Sequence, residues 1–485
     1  MRRSVLALAA IGGSSLLRQS LSGSVLLRGG QEGKGASRKV LVIGAGLAGL
    51  TAASELRSKG IQITVFEARQ RPGGRVHTLR EPFTDGLYAE AGATRIPDNH
   101  DLTLSYCRQF ELPLVPFRPG GLSTVYYVGG KRIIVKRGAS VEWPIALNDE
   151  EQKLGIAGLR EKYIGGVLNM ITDAADDTRW PPESLKMYDE LTWVEFLRKQ
   201  GASPGAVTLL TLGHNRGFNE RVSALSWLRY IILSHSRNRM YKIDGGNDRL
   251  PEALAREAGD SIQYQTSVLR LANTQNGVKA TYQQHGRQGE MEFDFVISAI
   301  PFSVLRTMEL SIDCSEGKRR AIDTLQHVSC VKIYLQTAKR FWLEENADGF
   351  GLTDLPVSEI WDASAMQKGE KGILQSYITG DLAREFESMG EPDRIRAMAE
   401  QTGKLYPQLQ KYFEKGFSYS WDDDEWARGA WAYYRPKEMT TLLPFIGTSE
   451  GRVHFAGDHT SPWPGWMQGA IHSGQRVARE IVART

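Results

Sequence analysis

Gly44-x-Gly46-x-x-Gly49 directly follows the apolar run Lys39-Val40-Leu41-Val42-Ile43, and Glu67 closes a second β-type run over residues 61–67. That order has a chemical use. Gly44 permits a tight turn, Gly46 lets backbone approach a pyrophosphate, and Gly49 lets helix and strand pack closely. The helix expected from Leu50 to Lys59, stopped by Gly60, offers free N–H groups and a favourable dipole to phosphates. A carboxylate at Glu67 can accept hydrogen bonds from ribose hydroxyls. Elsewhere, Arg95 carries the planar donor fork that suits a carboxylate. Lys332 lies in Cys330-Val331-Lys332-Ile333-Tyr334, an apolar run where an ammonium is costly without a polar task. Trp431 and Trp466 add large aromatic surfaces.

The elements that position these residues follow from hydrophobic periodicity. Residues 39–67 read as one βαβ unit. From 142 to 233 the pattern is mostly helical, with segments near 184–200, 204–213 and 222–233. Strands return at 278–282, 293–298 and 331–337, and a last helix spans about 466–483. With 485 residues the chain is too long for one simple core, and two or three subdomains are expected. The net charge of +4 is small and scattered, which argues against a nucleic-acid partner. No run of about 18 apolar residues predicts a membrane span. Cys107, Cys314 and Cys330 are too widely spaced for a disulfide framework or a CxxC metal site. Met1-Arg2-Arg3-Ser4, ahead of Val5 to Ile11 and a Gly/Ser-rich stretch ending near Arg38, looks like a twin-arginine export signal. A disordered tail is the alternative. The first would place the protein in the periplasm or outside the cell, the second in the cytoplasm.

Longer motifs carry a family resemblance. Glu67-Ala68-Arg69-Gln70-Arg71-Pro72-Gly73-Gly74-Arg75 resembles the flavin oxidoreductase pattern of an acidic strand end followed by Gly-Gly-Arg. Adjacent glycines allow positive φ and present N–H groups to a phosphate, and Arg75 adds a charge. Asp294 to Pro301 resembles the strand and turn that return the chain to the nucleotide sheet. Val268 resembles the position whose backbone meets adenine. Val453 to Thr460 resembles the second phosphate-binding motif, with Gly457 and with Asp458 where many relatives carry Glu. Residues 39–485 thus resemble the flavin-containing amine oxidase family, most of all its L-amino-acid oxidases. The resemblance implies a mixed α/β (α+β) fold: a Rossmann-like FAD-binding domain (39–90, 240–325 and 445–485), a mixed-sheet substrate domain (91–140 and 326–444) and a helical domain (141–239), with residues 1–38 set apart.

The resemblance also implies roles. Glu90 to Pro97 matches the loop that passes the flavin ring, with Ala93 and Thr94 beside the cofactor and Arg95 clamping a substrate carboxylate. Pairing of Arg95 with Glu90 stays open as an alternative. Tyr377 would add a hydroxyl to the same carboxylate, or serve as a core tyrosine. Lys332 matches the lysine that holds a water against the flavin. Trp431 and Trp466 would wall the substrate pocket, the Gly465 carbonyl would receive the amino group, and Met467 would meet the cofactor. Ala430 stands where monoamine oxidases attach FAD through cysteine, so the FAD is expected to be non-covalent. His214 and His235 read as satisfied or surface residues. The implied activity is oxidative deamination of large apolar or aromatic L-amino acids, with O2 as acceptor, giving 2-keto acids, ammonia and hydrogen peroxide, in a homodimer or higher homo-oligomer. An amine (monoamine or polyamine) oxidase, an amino-acid 2-monooxygenase yielding an amide and CO2, and a flavin-binding module without turnover remain as alternatives.

Overall fold

The computed structural model describes residues 38–136, 138–213, 217–234 and 239–485. The segment ahead of Arg38, with its twin-arginine-like start, lies outside the described residues, and so do His214 and His235.

Lys39–Ile43 forms strand β1, buried at every position after the first. Leu47–Ser58 forms helix α1 and Gln62–Phe66 strand β2, in parallel register with Val40 opposite Ile63. Three later stretches join them: Ile262–Gln263 (β3), Phe295–Ser298 (β4) and Val453–Phe455 (β5). The strand order is β3-β2-β1-β4-β5, and every pairing is parallel. A parallel sheet needs both faces covered, which explains the unbroken aliphatic run of β1. The last helix, Met467–Val482 (α2), lies against α1 so closely that a Cβ on Gly474 would sit 2.4 Å from the Ala48 carbonyl oxygen. This is a Rossmann-type nucleotide-binding sheet assembled from distant parts of the chain.

Helix α1 starts at Leu47, three residues before the start expected from periodicity. Gly46 is its N-cap, in extended conformation, and the Gly46 carbonyl accepts the Leu50 N–H at 2.9 Å. The glycine motif therefore supplies the first helical turn as well as the turn before it. Gly44 has φ +100°, a conformation that favours glycine, and Gly49 packs against it.

Among the described residues a second, seven-stranded sheet has the order Phe413–Ser420, Cys330–Thr337, Gly372–Thr379, Glu359–Asp362, Ala347–Thr353, Ser123–Val128, Lys131–Val135. Side chains alternate across it. Val331, Ile333, Leu335, Leu374 and Ile378 cluster with Met398 and Leu405 of the helix Glu391–Leu405. Lys332 and Tyr334 take the other face. Tyr377 and Tyr419 lie opposite Lys332 in the two neighbouring strands, so all three side chains share that face.

The named elements described between residues 141 and 239 are helical, among them Asp149–Arg160, Pro204–Leu210 and Ala224–Ser234. The continuous helix expected over 184–200 is divided into a 3-10 segment, Glu183–Glu190, and a helix, Trp193–Lys199. Thr192 makes the break. Its hydroxyl accepts the Glu195 N–H at 3.2 Å, and the Glu195 carboxylate accepts the Thr192 N–H at 2.8 Å. This capping box begins a new helix. No helix among the described residues is long and apolar enough to cross a membrane.

A Cβ on Gly49 would fall 2.0 Å from the Gly44 carbonyl oxygen, a backbone atom that has no flexible end to move. Gly49→Ala is expected to cost about 1–3 kcal/mol or more, the range for overpacking a filled site. Thermal unfolding reads this directly, and an unchanged Tm would show that strand and helix can separate without penalty.

Candidate active site

A cleft of about 420 Å³ runs along the nucleotide-binding sheet and reaches the inward face of the seven-stranded sheet. Its lining includes Gly44, Gly46, Glu67, Arg69, Gly74, Arg75 and Val268 from the nucleotide side. Ala93, Thr94, Arg95, Lys332, Tyr377, Trp431, Gly457, Asp458, Gly465, Trp466 and Met467 line it as well. Of the cofactor- and substrate-site residues expected from sequence, Gly49 alone is absent from the lining, because its work is to let α1 approach the turn.

The nucleotide end fits a dinucleotide. A Cβ on Gly46 would meet nothing within 4 Å, so backbone there faces open cleft at the N-terminus of α1. Glu67 is buried, and burial pushes its carboxyl above the usual value. Its two oxygens accept the Ala45 N–H at 2.7 Å and the Arg69 N–H at 2.9 Å. Each oxygen keeps a second lone pair for a hydroxyl donor. Arg69 is paired with Asp424. Arg75 donates to Asp458 Oδ1 at 2.5 Å and to the Ala430 carbonyl at 2.5 Å. Asp458 Oδ2 accepts the Gly465 N–H at 2.8 Å. The shorter acid at 458 thus ties Arg75 to the Gly465 turn.

The loop that carries Arg95 is held by side chains. Lys332 is 2% exposed, and its Nζ donates to Glu90 O at 2.9 Å, Gly92 O at 2.8 Å and Thr94 Oγ1 at 2.9 Å. An ammonium has three N–H donors, so all three serve the loop. Through these bonds Lys332 anchors residues 90–94. Tyr334 Oη donates to Glu90 O at 3.0 Å and Trp421 Nε1 to Ala91 O at 2.8 Å. Asn247 Nδ2 donates to Ala93 O at 2.9 Å and Thr94 O at 3.1 Å. The Glu90 carboxylate turns away from Arg95 and accepts from Thr78 Oγ1 and Asn247 N, each at 2.9 Å, while burial pushes its pKa up to about 7.

Arg95 itself has no ion pair among the described residues. Its guanidinium lies over aromatic rings: 4.9 Å from the Trp361 centroid, 5.8 Å from Trp466 and 5.9 Å from Phe117. Such contacts keep a cation in place without neutralising it. Tyr377 is half-buried beside it, 5.0 Å from Trp361 and 6.1 Å from Trp431, and burial raises its phenol pKa well above the usual value. Tyr230, from the helix Ala224–Ser234, stacks on Trp227 at 4.7 Å and on Trp466 at 5.9 Å. Gly465 has φ +81°, with Trp431 Cγ only 3.0 Å from where a Cβ would be. Gly465 lines this end, and its carbonyl receives no hydrogen bond among the described residues.

Sequence reasoning missed Tyr230, Trp361 and Asn247. Trp361 could have been found from alternation in Glu359-Ile360-Trp361-Asp362, once that run was read as a strand beside 372–379. Tyr230 lies in a helical pattern where nothing local marks the inward face.

A dinucleotide groove joined to a cation ringed by aromatics defines a cofactor-dependent enzyme acting on a small molecule. Comparison with known proteins agrees. The family model described as flavin containing amine oxidoreductase matches residues 47–482. A Bacillus subtilis (strain 168) protein named "Putative L-amino-acid oxidase YobN" is 33% identical over 469 residues, which covers 94% of this chain and 97% of that protein. The L-amino-acid oxidase of Gloydius blomhoffii is 27% identical over 467 residues, 94% and 91% of the two chains. Wild-type putrescine oxidase bound to putrescine has the same fold, with TM-score 0.79 at 21% identity over 92% of this chain and 99% of that one. Cyclohexylamine oxidase from Brevibacterium oxydans IH-35A matches with TM-score 0.78 at 20% identity, over 92% and 99%. The chain belongs to the flavin-containing amine oxidoreductases, and membership implies a flavin cofactor.

Two outcomes test this site. Gly46→Ala adds a methyl group to open cleft, so it is expected to keep the wild-type Tm of the flavin-free protein while losing most bound flavin, read from the visible absorbance of purified protein. Burial lowers the Lys332 ammonium to about 8, below the ordinary lysine value. It is therefore protonated below about pH 8 and neutral above, where two N–H donors face three acceptors. Affinity for a simple aromatic carboxylate, read as a perturbation of the flavin spectrum, should weaken as pH rises through about 8. Lys332→Met should lack that limb.

Proposed function

We propose that the protein is an L-amino-acid oxidase that holds FAD non-covalently and converts large apolar or aromatic L-amino acids to 2-keto acids, ammonia and hydrogen peroxide. The observation that carries this reading is Arg95, a guanidinium lining the cleft with no ion pair among the described residues. A plain amine leaves such a cation without a partner, whereas an amino acid brings a carboxylate that matches its fork.

Gly46 and the N-terminus of α1 would hold the pyrophosphate, Glu67 the ribose, and Val268 the adenine. Asp458, Arg75 and Met467 would border the rest of the cofactor. Ala430 offers no nucleophile, and burial pushes the Cys330 thiol in the cleft up to about 12, which keeps it protonated and unreactive. When bound, FAD would supply two-electron redox chemistry at the carbon beside the nitrogen, with O2 as the final electron acceptor.

The protein's own part is orientation and exclusion of water. Arg95 and Tyr377 bind the carboxylate, and the Gly465 carbonyl accepts from the amino group. The amine enters neutral, its proton left in bulk water, so its lone pair assists loss of the Cα hydride and no strong side-chain base is required. The imino acid hydrolyses to the keto acid and ammonia. Trp431, Trp466, Trp361 and Tyr230 form an apolar wall that suits a large side chain.

Anaerobic bleaching of the flavin tests this reading, with L-Phe, D-Phe and phenethylamine added to separate samples. L-Phe alone is expected to bleach, and after O2 is readmitted the products should be keto acid and hydrogen peroxide, without CO2 in the headspace. Bleaching by phenethylamine but not L-Phe would make the protein an amine oxidase, and an amide with CO2 would make it a monooxygenase. Arg95→Ala should lower kcat/KM for L-Phe by about 100-fold, as expected when one partner of a desolvated charge pair is removed. Acid precipitation should leave the flavin in the supernatant; flavin in the pellet would mean a covalent link.

A further inference from the structure

We infer that Asn247 is a positioning residue that sets the pose of the Arg95 guanidinium and thereby the preference for a carboxylate-bearing substrate. The inference rests on Arg95 being the carboxylate partner.

Asn247 is fully buried, and its side chain faces one task. A carboxamide has two N–H donors. Both go to the two residues that precede Arg95, at Ala93 O and Thr94 O. Its Oδ1 accepts the Ile243 N–H at 2.8 Å, closing the turn between them, and its own N–H is held by Glu90 Oε1. Gly245 (φ +81°) and Gly246 (φ +118°) give that turn its reversal. On the far side of Arg95, Ile96 and Pro97 pair antiparallel with Tyr241 and Met240. The stretch 240–247 therefore grips both flanks of Arg95, by strand pairing after it and by the Asn247 amide before it.

This matters because, among the described residues, the Arg95 head group is oriented by ring faces alone. Ring contacts are shallow and tolerate sliding. The direction of the fork must come from the backbone it springs from. A displacement of about 1 Å at a binding group can cost on the order of 100-fold. Lys332 holds the same loop, but through Glu90, Gly92 and the Thr94 hydroxyl; the carbonyls nearest Arg95 belong to Asn247. Aspartate at 247 would set a carboxylate oxygen against two carbonyls. Serine would lose both amide donors and offer only one hydroxyl on a shorter side chain.

The test uses purified holoenzyme of the wild type, Asn247→Asp, Asn247→Ser and Arg95→Ala. Binding of 3-phenylpropanoate and of phenethylamine is followed by perturbation of the flavin spectrum, alongside flavin content and Tm. The expected result is a rise of about 10-fold or more in the Kd of 3-phenylpropanoate in both Asn247 variants, with phenethylamine Kd and flavin content within about 2-fold of wild type. KM for L-Phe should rise in parallel while kcat changes little. Equal weakening of both ligands, or unchanged carboxylate binding in Asn247→Ser, would overturn the inference. Arg95→Ala separates the two levels of argument. If it leaves 3-phenylpropanoate binding intact, the carboxylate reading itself fails; if it weakens binding and the Asn247 variants do not, only the role of Asn247 fails.

Discussion

Between Glu90 and Thr94 the chain crosses the interior with five successive carbonyls that accept from side chains. A buried carbonyl without a donor is costly, so an irregular segment there must recruit donors from elsewhere. Lys332 and Tyr334 reach it from one strand, Trp421 from the loop after the next, and Asn247 from the turn behind. These bonds fix how the seven-stranded sheet faces the nucleotide-binding sheet, because Lys332 and Tyr334 are successive inward residues of a single strand. Packing alone would permit that sheet to slide; a ladder of directional bonds does not.

The same requirement explains the oddest residue in the sequence. A lysine buried in an apolar strand is expected to need a polar partner, and Lys332 finds three, all on the loop that carries Arg95. Burial and hydrogen bonding act in opposite directions on it: the first discourages charge, the second uses every proton that charge provides. Asp458 shows the complementary economy of an acid, one oxygen on Arg75 and the other on the Gly465 backbone, so that the cofactor groove and the substrate end share one carboxylate.

Much of this was legible from sequence where chemistry is local. The strand-glycine-helix-strand order near the start of the chain names its own geometry, since each glycine answers a contact a few residues away. Even the early start of α1 is local, a matter of Gly46 acting as N-cap. The division at Thr192 is local too, although hydrophobic periodicity runs through it and hides it. Lys332 stands out because an ammonium is costly in an apolar strand, while Arg95, Trp431 and Trp466 stand out through the motifs that resemble the family. Asn247 does not: an asparagine after two glycines reads as a turn residue, and its partners lie far away in sequence. Trp361 and Tyr230 reach the cleft only through the pairing of one strand and the seating of one helix, neither of which is encoded near them.

The seating of α2 on α1 carries a consequence for the protein's birth. The two helices touch at Gly474 and Ala48, near opposite ends of the chain, and β5 completes the sheet that both cover. During synthesis α1 is made more than 400 residues before α2 and keeps its apolar face uncovered until α2 follows. Such distant closure slows folding and exposes sticky surface meanwhile. The nucleotide groove can thus be finished only after α2 has been made, and cofactor capture follows that step.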